Sequence, residues 1–500
     1  MNDRYVIGLD IGTTSTKAVL FHYDGAVIGE LEVEYPILRP QADWAEQDPD
    51  EIVNASKQAI RVLMERTSVS PSAVTAVGIS SAMHSIICLN EDKQPLSNAI
   101  IWADTRSSEQ AAQLRLSLSS QFMKRTGTPF HPMTPFCKLT WMKQKKYPPF
   151  IEASSFASIK EYLCLLWFDE HVVDYATASS YGMFDIDACV WDVEALQLLQ
   201  LSSEQFGKPV PPTYTLYGMS AALADELGLL PSTPFVVGAT DGPLANLGVG
   251  ATGEGDTVIT IGTSGAIRQL SYRPMVDEHQ RTFCYRVDDH LFVSGGATNN
   301  GGIVLHWLQK LFAINGLEKN ASFTPSYDSL LRLAEQSPAG ANGVLFLPYL
   351  NGERAPIWDG AARASFVGLG MSHHQPDMIR AALEGTIFSL YHVGQTLKEM
   401  SGRPTRLFAN GGFSRSRFWL QIAADMFNQE LLLPKSHQSA AWGAAWYSLY
   451  ALGEVPSLAA IKNSVPMTNS ILPVTEHSLV YEKNFTFYEK LATSLPMLRK

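Results

Sequence analysis

The sequence predicts an α/β protein made of two domains of related construction. Three observations carry that expectation. The chain has 500 residues, which exceeds one ordinary domain of ~100–150 residues. Short apolar strands alternate with helical stripes, the pattern of a mixed sheet covered by helices. Finally, Ile11-Gly12-Thr13 recurs as Ile261-Gly262-Thr263, each copy closing an apolar strand and preceding another apolar stretch. That spacing is far longer than the ~20–50 residue period of a solenoid.

Tyr5 to Leu9 reads as a strand, Asp10 to Thr14 as a turn rich in Gly and Thr, and Lys17 to Tyr23 as a second strand. Asp24-Gly25 is a hairpin signal, and Ala26 to Glu34 completes an antiparallel meander. Asp48, Pro49 and Glu51 mark a helix start with a capping box, and Ile52, Ala55, Ala59 and Val62 give its apolar stripe. Ala73 to Ile79 is the next strand, and Ser85 to Leu89 with the turn Asn90 to Pro95 suggests a further hairpin. Phe235 to Gly238 is a strand that leads into Ala239-Thr240-Asp241-Gly242. Glycines then cluster at 248, 250, 253 and 255 and read as a linker or hinge, dividing the chain into domains 1–248 and 249–500. Thr257 to Ile261 is a strand ending at Gly262-Thr263-Ser264-Gly265. In the second half, Gly301-Gly302 precedes a helical run from Ile303 to Phe312, Pro376 opens a helix, and Gly411-Gly412 precedes another.

Composition excludes several classes. Charged residues are 17% and hydrophobic ones 46%, so a large core is expected and disorder is not. A net charge of −11 argues against a nucleic-acid partner, which needs a basic surface. A small anionic ligand remains open, because charges beyond about 8 Å are screened at cellular salt. Cys88, Cys137, Cys164, Cys189 and Cys284 include no CxxC pair, so they read as reduced thiols rather than a disulfide or zinc framework. No apolar run reaches the ~18 residues that cross a bilayer, and Met1 to Arg4 runs into a strand pattern rather than a leader, so a soluble cytoplasmic protein is expected.

The turn Asp10-Ile11-Gly12-Thr13-Thr14 suits phosphate: glycine allows close backbone approach, amides can form an anion nest, and threonine hydroxyls add donors. Asp10 could hold Mg²⁺ directly or through water, with Lys17 as a nearby point charge. A tight hairpin would use the same residues for geometry alone. No GxxxxGK[ST] motif is present. Gly262-Thr263-Ser264 repeats the opportunity, and two such turns flanking a hinge suggest a clamped nucleotide phosphate chain. The double-glycine helix starts at Gly302 and at Gly411-Gly412 offer backbone amides to a nucleotide, or merely close packing. Asp241 ends a strand where α/β proteins place catalytic carboxylates, although a turn or N-cap aspartate has the same local signature. Met83-His84 and Trp102-Ala103-Asp104-Thr105-Arg106 mix aromatic, carboxylate and cationic groups suited to a polyol. Arg106 either grips a substrate carboxylate or pairs with Asp104 on the surface.

These residues resemble the FGGY carbohydrate kinases, in the superfamily of sugar kinases, heat-shock chaperones and actin. The likeness runs from about residue 5 to about residue 450. Gly8 to Lys17 is similar to the family's first phosphate motif, Trp44 to Pro49 to its Glu-Gln/His-Asp-Pro element, and Met133 to Trp141 to its first signature, departing at Lys145. Ala364 to Leu369 with Asp377-Met378 and Ala381 to Glu384 is similar to the second signature. The resemblance implies two actin-like (ribonuclease H-like) domains around a central cleft, with sugar against the first and ATP with Mg²⁺ against the second. It implies Asp241 as general base, and Thr263, Gly302, Gly411 and Ser416 as nucleotide contacts. Ser416 stands where glycerol kinases carry Asn. It also implies Ser81, Met83, His84, Trp102, Asp104 and Arg106 on the sugar side.

Within the family, Ser80 to Ser85, Arg125 to Pro129, His131 to Met133 and Ile261 to Arg268 resemble gluconate kinases; xylulose kinases typically carry Gly-Gln-Met-His-Gly at the first of these. The expected reaction is ATP-dependent phosphorylation of the terminal hydroxyl of a sugar acid, with xylulose or another polyol as alternative substrate. Two rivals of other classes are an actin- or chaperone-like ATPase and a non-catalytic sugar sensor. The expected partner is a small sugar or sugar acid, without nucleic acid or membrane, and a homodimer remains open.

Overall fold

A computed structural model describes residues 4–315, 322–323, 325–435 and 438–494. Met1 to Asp3, on which the reading of the N-terminus partly rests, lie outside the described residues. The elements that position the site are, in chain order, β1 (Tyr5–Ile11), β2 (Ser15–His22), β3 (Val27–Glu34), β4 (Glu46–Gln47), α1 (Pro49–Thr67), β5 (Val74–Ser81), α2 (Pro135–Gln144), α3 (Ile159–Phe168), α4 (Tyr175–Ser180), β6 (Thr215–Leu216), β7 (Phe235–Thr240) and α5 (Asp241–Gly248). There follow β8 (Asp256–Ile261), β9 (Gly265–Ser271), β10 (Phe292–Thr298), α6 (Ile303–Leu311), α7 (Gln375–Ser401), β11 (Arg406–Asn410), α8 (Arg417–Phe427), β12 (Leu431–Pro434), α9 (Ser439–Ala451) and β13 (Met467–Ile471).

The chain divides into two compact units. The first comprises Met1–Gly253, Leu270–Val293 and Gln438–Pro466, and the second Glu254–Gln269, Ser294–His437 and Met467–Lys500. Two late segments thus group with the N-terminal residues, where the sequence suggested one break after residue 248.

The first unit is organised on a six-stranded sheet in the order β6-β7-β5-β1-β2-β3. β1, β2 and β3 form the antiparallel meander, and β5 and β7 then add in parallel. Side chains alternate across a strand. Ile7, Leu9 and Ile11 face a core shared with α1, which contributes Ile52, Ala55, Ala59 and Leu63. Val62, expected in that stripe, is half-buried instead. Asp48 caps α1, accepting from the backbone N–H groups of Asp50 and Glu51. The opposite face takes α9, and only glycine permits the approach: a Cβ at Gly8 would stand 2.0 Å from the Ala441 carbonyl oxygen, and one at Gly78 2.0 Å from that of Ala444.

The sheet of the second unit runs β10-β9-β8-β11-β12-β13. β8 and β9 form a hairpin, and β11 and β12 add in parallel. Each unit therefore follows a hairpin with parallel strands, as the recurring Ile-Gly-Thr turn suggested. The five cysteines are free thiols. Among the described residues no helix is long and apolar enough to cross a membrane.

Candidate active site

In the first unit the β1–β2 turn, the ends of β5 and β7, and the N-terminus of α5 present the expected groups. The Gly12 N–H donates to Ser15 O at 2.9 Å, which closes the turn. Tyr35 donates its hydroxyl to Gly12 O at 2.7 Å. Asp10 leaves the end of β1 and accepts from the Ser80 hydroxyl at 2.7 Å. Burial pushes its carboxyl up to about 6; Ser80 pulls the value back, Asp241 adds to the rise through its charge, and Lys17 opposes it. Two carboxylates sharing a field in this way suit a hard cation, which Mg²⁺ sites hold through one or two carboxylates plus substrate phosphate. Among the described residues there is no group of three or more His, Cys, Asp or Glu that would cage a metal by themselves. Lys17 pairs with Glu32 at 3.5 Å. Asp241 opens α5, and its Oδ1 accepts from the Gly242 N–H at 2.7 Å.

A small hollow in the same unit is lined by Gly12, Thr13, Gln47, Ala82, Met83 and Trp102, among others. Trp102 donates its indole N–H to the Thr13 hydroxyl at 2.9 Å, and Gln47 donates to Thr13 O at 2.7 Å. Thr13, read from sequence as a phosphate ligand, is therefore bonded to Trp102, expected from sequence on the sugar side, and to Gln47. His84 sits beside this hollow with φ 68°. Its Nδ1 bonds Ser180 O at 2.8 Å, and the buried Lys138 donates to its carbonyl at 2.6 Å. Burial lowers Lys138 to about 7, against the pull of Asp104. Ser81 is fully buried at the end of β5, and its hydroxyl has no hydrogen-bond partner among the described residues.

Arg106 occupies a different place from the substrate clamp that its motif suggested. Its Nη2 donates to Glu46 Oε1 at 2.6 Å and to Asp104 Oδ2 at 2.7 Å, and Nε donates to both Asp104 oxygens at 2.9 Å. The guanidinium carbon lies 3.6 Å from the Trp44 ring centre, and the side chain is 1% exposed. Asp104 also accepts from the Ala45 N–H at 2.7 Å. The pair is buried rather than superficial, and it ties Asp104 to Glu46 of β4, the strand that also carries Gln47. Among the described residues Nη1 has no hydrogen-bond partner. Sequence reasoning missed Glu46, Gln47 and Ser80 as site components. The Trp44–Pro49 element contained the first two, but nothing local shows that Glu46 meets an arginine sixty positions later.

The second unit holds a pocket of about 350 Å³ lined by Gly262, Thr263, Gly302, Gly412, Phe413 and Trp419, among others. That is within the range of small-molecule sites, ~300–1,000 Å³. Gly262 and Thr263 are exposed at the β8–β9 turn, and the Gly262 N–H donates to Ser264 O at 2.9 Å. Gly411 has φ 90°, and a Cβ there would lie 2.6 Å from Ile261 O; the residue's smallness lets the loop press against the end of β8. Ser416 caps α8, accepting from the Trp419 N–H at 3.2 Å. His306 Nδ1 and the Tyr327 hydroxyl meet at 3.1 Å on the rim. Backbone amides, glycines and aromatic walls in one pocket are the materials for binding a phosphorylated aromatic base.

Residues 5–248 match the N-terminal domain, and 257–452 the C-terminal domain, of the FGGY family of carbohydrate kinases. The chain belongs to this family. A gluconokinase of Bacillus licheniformis is 42% identical over 98% of this chain and 96% of its own. A xylulose kinase of Bacillus subtilis is 28% identical over 98% and 97%. Two solved structures from Lactobacillus acidophilus, a gluconate kinase and a ligand-bound xylulose kinase, each share 34% identity and a TM-score of 0.92, covering 99% of this chain and 98% of theirs. The mixed α/β architecture is thus the two-domain, actin-like sugar-kinase fold. A carbohydrate kinase of this family takes its phosphoryl group from ATP and gives it to a sugar hydroxyl, so the actin- and chaperone-like rivals drop out.

Proposed function

We propose that this kinase transfers the γ-phosphoryl group of ATP to the terminal hydroxyl of D-gluconate, giving 6-phosphogluconate. The observation that carries the reading is the gap between 42% identity to a gluconokinase and 28% to a xylulose kinase over nearly the same span. Xylulose is the second reading, favoured by the xylulose kinase structure that is as similar as the gluconate kinase one.

In this mechanism Asp241 accepts the proton of the substrate hydroxyl as its oxygen attacks the γ-phosphorus. Thr13 and Thr14 in one turn, and Gly262, Thr263 and Ser264 in the other, position the phosphates through hydroxyl and amide donors. Lys17 adds positive charge near Asp10. Asp10 would hold Mg²⁺, whose charge offsets that of the phosphates. The transition state is loose, so positioning and electrostatics supply most of the rate. Gly302, Gly411, Gly412 and Ser416 line or brace the nucleotide site, and Ser81, Met83, His84, Trp102 and Asp104 form or support the sugar side, with Arg106 bracing them. Residues 1–248 serve mainly the sugar and residues 249–500 mainly the nucleotide, the first turn adding phosphate contacts, and the cytoplasm is the proposed compartment.

The test is ADP release in a coupled assay with gluconate, xylulose, ribulose and glycerol, with the product identified. The expected result is kcat/KM on gluconate at least tenfold above the others, a margin of about 1.4 kcal/mol in transition-state binding. Equal or greater kcat/KM on xylulose overturns the gluconate assignment in favour of the second reading. Sugar-independent ATP hydrolysis with no phosphorylated product would overturn both.

A further inference from the structure

The loop that ends at Gly302 hangs from one buried carboxylate. Glu353 is 1% exposed. Its Oε2 accepts from the Thr298 hydroxyl at 2.6 Å, the Ser389 hydroxyl at 3.0 Å and the Asn300 side-chain amide at 3.4 Å. Its Oε1 accepts from the backbone N–H groups of Asn299 at 3.1 Å and Arg354 at 2.8 Å. Every one of these groups donates, which is the environment an ionised carboxylate needs and an amide cannot satisfy. Burial pushes the Glu353 carboxyl above its ordinary value, and the same donors oppose that shift.

The neighbouring residues complete the anchor. Asn300 donates to Gly352 O at 2.8 Å and accepts from the Asn351 N–H at 3.1 Å. Its backbone N–H donates to the Thr298 hydroxyl oxygen at 3.0 Å. Immediately downstream, the N–H groups of Gly301 and Ile303 donate to Thr263 O at 3.2 and 3.1 Å, and that of Gly302 donates to Gly262 O at 2.7 Å. One carboxylate therefore fixes Thr298 to Asn300, and that loop in turn fixes the Gly262-Thr263 turn. Gly302 and Ile303, which continue that loop, and Gly262 and Thr263 line the same 350 Å³ pocket.

We propose that Glu353 is the positioning residue of the nucleotide site, setting the geometry of two backbone loops without touching the nucleotide itself. The inference rests on the reading of this pocket as the ATP site. It separates Glu353 from a merely structural acid, because its effect falls on nucleotide binding and spares the sugar.

The experiment titrates ADP into the full-length protein calorimetrically and measures KM for ATP and for the sugar substrate, in wild type, Glu353→Gln and Thr298→Val. Wild type binds ADP. Glu353→Gln, folded by circular dichroism, weakens ADP binding and raises KM for ATP about tenfold or more, as expected for losing a hydrogen bond to a charged group, while KM for the sugar stays within about twofold. If Glu353→Gln does not fold, Thr298→Val decides: it removes one loop donor to the same carboxylate and weakens ADP binding about threefold or more. ADP affinity unchanged in the folded variant, or equal losses for nucleotide and sugar, overturns the role of Glu353 and leaves the nucleotide site standing. A wild-type protein that binds no ADP overturns the pocket assignment and this inference with it.

Discussion

Replacing Arg106 by methionine separates a binding role for this residue from a bracing one. The wild-type guanidinium neutralises Asp104, which is fully buried, and Glu46, whose side chain is 7% exposed, while stacking on Trp44 at 3.6 Å. Methionine fills most of the volume but leaves two carboxylates facing each other out of water. Breaking a buried pair in this way costs about 3–5 kcal/mol, a large part of the ~5–15 kcal/mol that holds a typical domain together. Chemical denaturation should show a loss of that size. Because the same cluster holds β4 and Gln47 against Thr13, kcat/KM should fall by similar factors on gluconate and on xylulose. Adding Asp104→Asn and Glu46→Gln to Arg106→Met should restore part of the stability, since neither carboxylate is then left without its cation. The reasoning would be refuted by a variant of native stability whose loss is confined to the sugar acid; Arg106 would then be a carboxylate clamp acting through Nη1.

The other predictions follow from single contacts. Asp241→Asn should lower kcat by roughly 10²–10⁴-fold with ADP affinity unchanged by calorimetry; a folded variant retaining more than about a tenth of native activity removes Asp241 from proton transfer. Gly411→Ala places a Cβ against Ile261 O at φ 90° and should destabilise by at least about 1 kcal/mol, with weaker ADP binding; unchanged thermal stability counts against the close approach. Lys138, lowered to about 7 by burial, binds fewer protons folded than unfolded between that value and its ordinary one of about 10.4. Folding stability should therefore rise with pH across that window, with a slope of up to about 1.4 kcal/mol per pH unit. Denaturation of wild type against Lys138→Met over pH 6–10 checks this, and parallel curves would mean that Lys138 stays charged.

Much of the first sheet was legible because its information is local. The Asp24-Gly25 turn, with Gly25 at φ 90°, the alternation along β1 to β3, and the Asp48-Pro49 helix start each depend on a few consecutive residues. The two turns after β1 and β8 were legible for the same reason, as was the placement of Asp241 at the end of a strand. Arg106 was ambiguous because its partners at 46 and 104 are brought together only by β4 and the segment after Ile101. Glu353 carried no local mark at all: its donors come from residues 298–300, 354 and 389.

The sequence by itself determined the kinase family, the paired phosphate-sized turns and the strand ends that carry Asp10 and Asp241, since motif and periodicity act over a few residues. The tertiary structure decided which charges face a ligand and which are consumed internally. It closed Arg106 into a buried cluster and anchored residues 298–300 on Glu353. It also returned α9 to the first sheet, where Gly8 and Gly78 leave room for its backbone. The physical reason is common to all three. A buried charge or a close backbone approach is set by whatever else occupies the same few ångströms, and the occupants here lie from tens to hundreds of residues apart along the chain.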